Sequence, residues 1–402
     1  MQDASPQPTP PVTPRADSPG STASLRGANQ HRVLDVLQGR SEGLPQDGSP
    51  HTQADLARLT GLAPATVSNI VRELAAGGLV ETEPGSGRRG TVVRFARSAG
   101  LVAGIDFGHS HVAVALGDLA GSLVAEQRRG LHPEHTYDEG LEVADALLTA
   151  LLDEHATGVP VRSIGLGLPA PISGDLVRSS AILPGWVAVN AREVTASRFG
   201  RPVHVENDAN LGALAEHRYG VARGCATSVF VKISSGVGAG IIVENRLFRG
   251  AQGTAGEIGH LTLDEQGPVC RCGSRGCLET YASIPTVQAM MAGQLPDADI
   301  DQIVAAARDG NVSALRTLED AGLHLGWGLA AVVNLLNPDL VVVGGDMARA
   351  GDLLLDSVRI GLRRHALDAA ATTPVVASEL GERASLVGAV LLATDRTELV
   401  PG

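Results

Sequence analysis

Three of the four cysteines in this 402-residue chain fall within eight positions, at Cys270, Cys272 and Cys277, and His260 lies ten residues ahead of the first. The run reads Gly256-Glu-Ile-Gly-His260, nine residues, then Cys270-Arg-Cys272-Gly-Ser-Arg-Gly-Cys277-Leu-Glu279. Zinc takes tetrahedral sets of thiolate and imidazole, and these four residues supply one Cys₃His set. Gly273 and Gly276 allow the tight turn that brings Cys272 and Cys277 to one ion. The alternative is a disulfide and a spare thiol. Nothing else in the sequence points to an oxidising compartment, so a closed, structural Zn²⁺ site is the expectation.

Glu257-x-Gly-His260 followed by Cys-x-Cys-Gly-x-x-Gly-Cys-x-Glu279 resembles the signature of the ROK family, which contains sugar kinases and sugar-responsive repressors. The resemblance extends over roughly Gly100 to Leu392. It implies a two-lobed, actin-like α/β domain. It also implies that the zinc fixes the loop carrying His260, whose other ring nitrogen then faces a sugar; a ligating imidazole has one nitrogen left for a second partner.

The whole chain carries a net charge of −12, which read globally argues against nucleic acid. Ten arginines against nine acids up to Arg97 give that part +1, leaving −13 for the remainder. The acidity belongs to the later domain, so DNA binding by the first is open. Lys232 is the only lysine, a bias that looks like GC-rich codon usage. No secretory signal or membrane span is visible, and the expectation is a cytoplasmic protein with no membrane partner.

Residues 1–24 are rich in Pro, Ser, Thr and Gln and hold too little apolar surface to offset ordering entropy, so disorder is expected. Residues 25–97 read as a winged helix-turn-helix. Val33, Leu34 and Leu37 share a helical face, Thr52-Gln-Ala-Asp55 resembles a capping box, Gly61 turns the chain, and Pro64 opens the next helix. There Val67, Ile70, Val71 and Leu74 form the apolar stripe. Ala65, Thr66, Ser68, Asn69 and Arg72 are left as the face toward a major groove, Asn suiting adenine and Arg guanine or phosphate. A small helical adaptor with a solvated polar face would read alike. What separates the two is the following pair of strands, Leu79–Glu83 and Thr91–Phe95, joined by a glycine-rich tip carrying Arg88 and Arg89. That hairpin reads as a wing whose arginines reach phosphates or a minor groove, and it is similar to the wing of ROK-family repressors.

Residues 98–402 read as the sugar-binding domain. Leu101–Asp106 and Val112–Leu116 form a hairpin with Asp106-x-Gly108 at its turn. In actin-like sugar kinases a Gly-Gly-Thr turn approaches the ATP phosphates here. In this chain His109 and Ser110 hold the Gly-Thr positions, and His109 brings a ring where phosphate needs space. Trp186 either lines a sugar site or packs. Glu206-Asn207-Asp208-Ala-Asn210 resembles the family's sugar-contacting motif, in which the Asp also serves as general base; an Asn/Asp helix cap would explain one of these residues. Ser234-Ser-Gly-Val-Gly238 repeats the strand–turn–strand layout of Asp106, and Leu340–Gly344 reads as a buried parallel strand.

The resemblance thus implies that Asn207, Asp208, Glu257, His260 and Glu279 face a sugar, while the first phosphate turn departs from the kinase pattern. The expectation is a sugar-responsive DNA-binding transcriptional regulator of carbohydrate genes, a repressor and not an enzyme. Its partners would be operator DNA and a sugar or sugar-phosphate effector, and the chain would form a homodimer or dimer of dimers. The alternative is an active ATP-dependent sugar kinase carrying a DNA-binding domain.

Overall fold

A computed structural model describes residues 22–40, 51–84, 90–177 and 182–400. The chain divides into two compact units, one built mainly of the residues up to Ala96, the other running from Arg97 to Thr397. The expected disorder of residues 1–24 falls outside the described residues except at its end, where helix already begins at Thr22.

The first unit holds α1 (Thr22–Leu37), β1 (His51–Thr52), α2 (Gln53–Thr60), α3 (Pro64–Ala76), β2 (Val80–Glu83) and β3 (Val92–Phe95). Helix α1 begins well ahead of its apolar face at Val33, Leu34 and Leu37, and its Gln30 Nε2 donates to Glu73 of α3 at 3.1 Å. Thr52 and Asp55 form a reciprocal capping box that satisfies two orphan N–H groups of α2. Gly61 ends that helix at φ 68°, a conformation costly for any residue with a Cβ. Val67, Ile70, Val71 and Leu74 of α3 are all buried, as their spacing requires. Strands β2 and β3 pair antiparallel with Val80 opposite Phe95, and β1 adds on the other edge of β3. The tip with Arg88 and Arg89 lies outside the described residues.

The second unit contains one layout twice. Strands β4 (Leu101–Phe107), β5 (His111–Gly117) and β6 (Leu123–Gly130) form an antiparallel meander. Helix α4 (Tyr137–His155) crosses to β7 (Val161–Leu168), which runs parallel to β4. A small hairpin, β8 (Ile172–Ser173) with β9 (Leu176–Val177), and helix α5 (Ala191–Phe199) lead to β10 (Val203–Asn207), parallel to β7. Helix α6 (Asp208–Arg218) opens directly from β10. A second meander follows, β11 (Ser228–Ile233), β12 (Val237–Val243) and β13 (Arg246–Leu247). Helices α7 (Glu279–Ala282), α8 (Ile284–Met291), α9 (Ile300–Arg308) and α10 (Val312–Leu336) precede β14 (Leu340–Gly344), which is parallel to β11. Helix α11 (Asp352–His365) then leads to β15 (Val375–Ala377), parallel to β14, and α12 (Ala384–Arg396) closes the unit. The sheet orders are β10-β7-β4-β5-β6 and β13-β12-β11-β14-β15, the same arrangement read from opposite ends.

Helices α6 and α12 lie between the sheets. A Cβ on Gly388 of α12 would stand 2.1 Å from the Leu211 carbonyl of α6, so only glycine lets the two helices approach this closely. Among the described residues no helix is long and apolar enough to cross a membrane.

Candidate functional site

His260, Cys270, Cys272 and Cys277 converge: one ligand atom from each lies within 4.8 Å of all the others. Cys272 Sγ is 3.7 Å from Cys277 Sγ, and Cys270 Sγ is 3.7 Å from His260 Nδ1. Sulfurs bound to one zinc at ~2.3 Å with tetrahedral angles stand ~3.8 Å apart. The spacing therefore fits a shared ion and is far too long for a disulfide. Gly273 and Gly276, at φ 93° and 59°, make the expected turns. Gly276 has a further reason to be glycine, since a Cβ would meet the Asp264 carbonyl at 1.7 Å. The donor set fits a metal such as zinc, and with Nδ1 on the metal side the His260 Nε2 remains for the cleft.

That cleft, of about 610 Å³, is lined by Asn207, Asp208, Glu257, His260 and Glu279. Their commitments differ. Asn207 caps α6, its Oδ1 accepting from the Ala209 and Asn210 N–H groups at 2.9 and 3.2 Å, while its Nδ2 donates to the Ala170 carbonyl. The helix-cap explanation left open by the sequence is thus the one this residue satisfies, and one N–H remains for a ligand. Glu279 accepts from the Val237 N–H at 3.1 Å and from Arg271, whose Nε is 2.8 Å from Oε1. Glu257 has a carboxyl that burial, with Asp208 and Glu279 nearby, pushes up to about 7.

Asp208 Oδ1 accepts from the Ala209 N–H at 2.8 Å, and Oδ2 receives the ammonium of Lys232 at 2.7 Å. Lys232 also donates to Ser385 Oγ at the start of α12, and that hydroxyl donates to the Asp208 carbonyl. Burial opposes the lysine charge, but Asp208 and Asp106 outweigh it and hold the ammonium above the usual lysine range. Asp106 itself is buried, with Oδ1 lacking a hydrogen bond, and its carboxyl is pushed up to about 7. The duplicated fold explains the trio. Asp106 of β4 pairs with Ala113 and Gly167, and Lys232 of β11 with Gly238 and Gly344, equivalent positions in the two sheets.

The first turn is filled by its own histidines. His109 Nδ1 lies 3.1 Å from the Ile182 carbonyl, and the His111 ring covers Gly108 so closely that a Cβ there would meet Cε1 at 2.0 Å. Burial, with Arg128 and Lys232 adding to it, lowers His111 to about 4, so its imidazole is neutral. At the far end, Arg128 of β6 pairs with Glu382, which also meets Arg349. Trp186 packs and does not line the cleft: it is fully buried, 5.1 Å from the Phe107 ring.

On α3, Ala65, Asn69 and Arg72 are exposed and Thr66 and Ser68 half-buried, opposite the apolar stripe. Arg72 Nη1 donates to Asn69 Oδ1 at 3.0 Å, which orders the pair on one face.

Sequence reasoning missed Lys232, Asp106, Arg271 and Ser385 as cleft residues. The signal for Lys232 was present: a lone charge in an otherwise apolar buried strand needs an acid partner.

Comparison with known proteins gives these features a context. The ROK family profile matches residues 102–396, and that of the MarR family residues 25–89. The xylose repressor of Bacillus spizizenii is 31% identical over 320 residues, covering 77% of this chain and 82% of its own. The DNA-binding transcriptional dual regulator NagC of Escherichia coli is 33% identical over 367 residues, covering 85% and 88%. Among solved structures, a ROK family transcriptional regulator, homolog of the E. coli MLC protein, superposes with a TM-score of 0.73 at 28% identity over 90% of this chain and 96% of that one. A ROK family glucokinase from Streptomyces griseus, in complex with glucose and AMPPNP, superposes at 0.64 and 29% identity over 74% of this chain and 100% of its own. The glucokinase thus matches a smaller share of this chain than the regulator does. With a winged helix ahead of a duplicated two-sheet domain, the chain belongs to the ROK family.

Proposed function

We propose that the chain is a sugar-responsive DNA-binding regulator, a repressor of carbohydrate genes, and that it does not phosphorylate its sugar. The observation that carries the second part is the Lys232–Asp208 ion pair. Both oxygens of the carboxylate standing where the family's general base is expected are already hydrogen-bonded, one to an ammonium. A sugar hydroxyl would have to share Asp208 with that ammonium, which competes with its proton for the carboxylate. Phosphoryl transfer also relies on groups positioned around the phosphates, and His109 and His111 fill the turn that would approach them.

The repressor reading rests on the relatives' names and on the exposed Asn69–Arg72 face. In this reading the α3 face enters a major groove, with Ala65, Thr66, Ser68, Asn69 and Arg72 against base edges and Arg88 and Arg89 on the backbone. Sugar bound by Asn207, Asp208, Glu257, His260 and Glu279 shifts the equilibrium between two arrangements of the lobes, and operator affinity follows. Zinc at His260, Cys270, Cys272 and Cys277 is structural. The chain works as a homodimer or dimer of dimers in the cytoplasm, where operator DNA is.

The test pairs two assays on the same protein. Gel-shift titration on DNA upstream of neighbouring sugar genes should show binding that a sugar alters. A coupled ADP-release assay across the same sugars should show no turnover. Sustained turnover abolished by Asp208→Asn would establish the kinase alternative instead.

A further inference from the structure

Among the described residues, Lys232, Arg128 and Arg271 are the lysine and arginine side chains that line the cleft. Each is already held by an acid. Lys232 lies on Asp208, Arg271 on Glu279 with a second bond to the Ser235 carbonyl at 3.1 Å, and Arg128 on Glu382. A phosphate ester is recognised by Arg, Lys or backbone N–H groups able to turn toward it, and charge-assisted pairs of this kind are the strong ones. Here each such cation would have to share its charge with a carboxylate already bound to it.

The balance of charge runs the same way. Acidic side chains outnumber these cations more than two to one in the lining, with Asp299 and Asp346 adding to the acids already named. Burial pushes Asp106 and Glu257 up to about 7, and setting both aside still leaves an acidic surplus. Groups left open to a ligand include one Asn207 N–H, the His260 Nε2 and the Glu257 carboxyl. Those groups suit hydroxyls and amides.

Resting on the proposed function, we infer that the effector is an unphosphorylated saccharide and that sugar phosphates are excluded by the closed ion pairs and acidic lining of the cleft. The chain would then sense a free sugar, before any phosphoryl group is added to it.

The test is isothermal titration calorimetry of the full chain with xylose, glucose and N-acetylglucosamine, and with glucose 6-phosphate and N-acetylglucosamine 6-phosphate. At least one free sugar should saturate the protein. A phosphate ester should bind its site at least ~100-fold more weakly than the parent sugar, from like-charge juxtaposition. Glu382→Gln supplies a gain-of-function arm, because it releases Arg128 without touching the sugar-facing residues. That variant should narrow the gap between the ester and its parent and leave affinity for the parent within about twofold. Tighter binding of a phosphate ester than of its parent by the unmodified chain would overturn the inference while leaving the regulatory reading intact. An ester gap unmoved by Glu382→Gln would overturn the closed-pair explanation. If neither form of any sugar binds, the regulatory reading fails and the inference falls with it.

Discussion

The ammonium of Lys232 stands 2.7 Å from Asp208 Oδ2 and joins the end of one sheet to the first residue of α6. The pair is largely removed from water, with the aspartate side chain 9% exposed. Removing one partner of such a pair leaves the other as a buried, uncompensated charge. Lys232→Met should therefore destabilise the second unit by about 3–5 kcal/mol in denaturant melts. The double change Lys232→Met with Asp208→Asn should recover a large part of that loss. A single-variant cost within error of zero would show that the pair is solvated and contributes little.

Asp106 gives the protein a pH dependence whose sign follows from burial. Its folded-state carboxyl sits at about 7, above the unfolded aspartate value, so its contribution to stability is full below about 3.9 and is lost as pH rises through about 7. Asp106→Asn removes this titration. Relative to the unmodified chain, the variant should gain stability as pH rises from about 4 to about 7, by roughly 2–4 kcal/mol in all. Thermal melts across that range check it. Parallel curves for the two proteins would mean that Asp106 ionises normally. Glu257, also pushed up to about 7, contributes a slope of the same sign that Asp106→Asn leaves in place.

Metal content tests the Cys₃His centre directly. The purified protein should carry about one zinc per chain by elemental analysis. Cys272→Ser should lower both zinc content and the melting temperature, and strong chelators should reproduce the loss. Because His260 belongs both to the candidate metal set and to the cleft lining, sugar affinity should fall in parallel. Full sugar binding by a zinc-free preparation would separate the two and refute the structural role.

The α3 face predicts a division between two kinds of variant. Asn69→Ala should relax sequence preference at one base position, at a cost of about 1–3 kcal/mol on the preferred operator. It also removes the acceptor that orients Arg72, so Arg72 should lose part of its contribution in the same variant. Arg88→Ala and Arg89→Ala should weaken binding to every sequence and make the dependence on salt shallower. Competition titrations with operator and random DNA at several salt concentrations distinguish these patterns. Unchanged affinity in the double arginine variant would show that these residues do not touch DNA.

What the sequence determined on its own is what rests on short-range spacing. The Cys₃His run, the stripe Val67–Leu74, the Thr52–Asp55 box and the glycine turns at Gly273 and Gly276 each involve residues close in the chain. Their geometry follows from helical period or from the backbone freedom of glycine, so reading the residues sufficed. The family signature extended that reach to five residues that line the cleft. The commitments of those residues were decided elsewhere. Asn207 is a cap, and Glu279 is clamped by Arg271 and the Val237 N–H. Lys232 looked like a trace of codon usage until its partners came from 24 positions upstream and 153 downstream. Arg128 meets Glu382 across 254 residues. No local periodicity encodes such pairs. They arise because two sheets of the same topology pack around α6 and α12 and bring equivalent strand ends, Asp106 and Lys232, to one cleft. There, loss of water makes the pairing of each charge decisive.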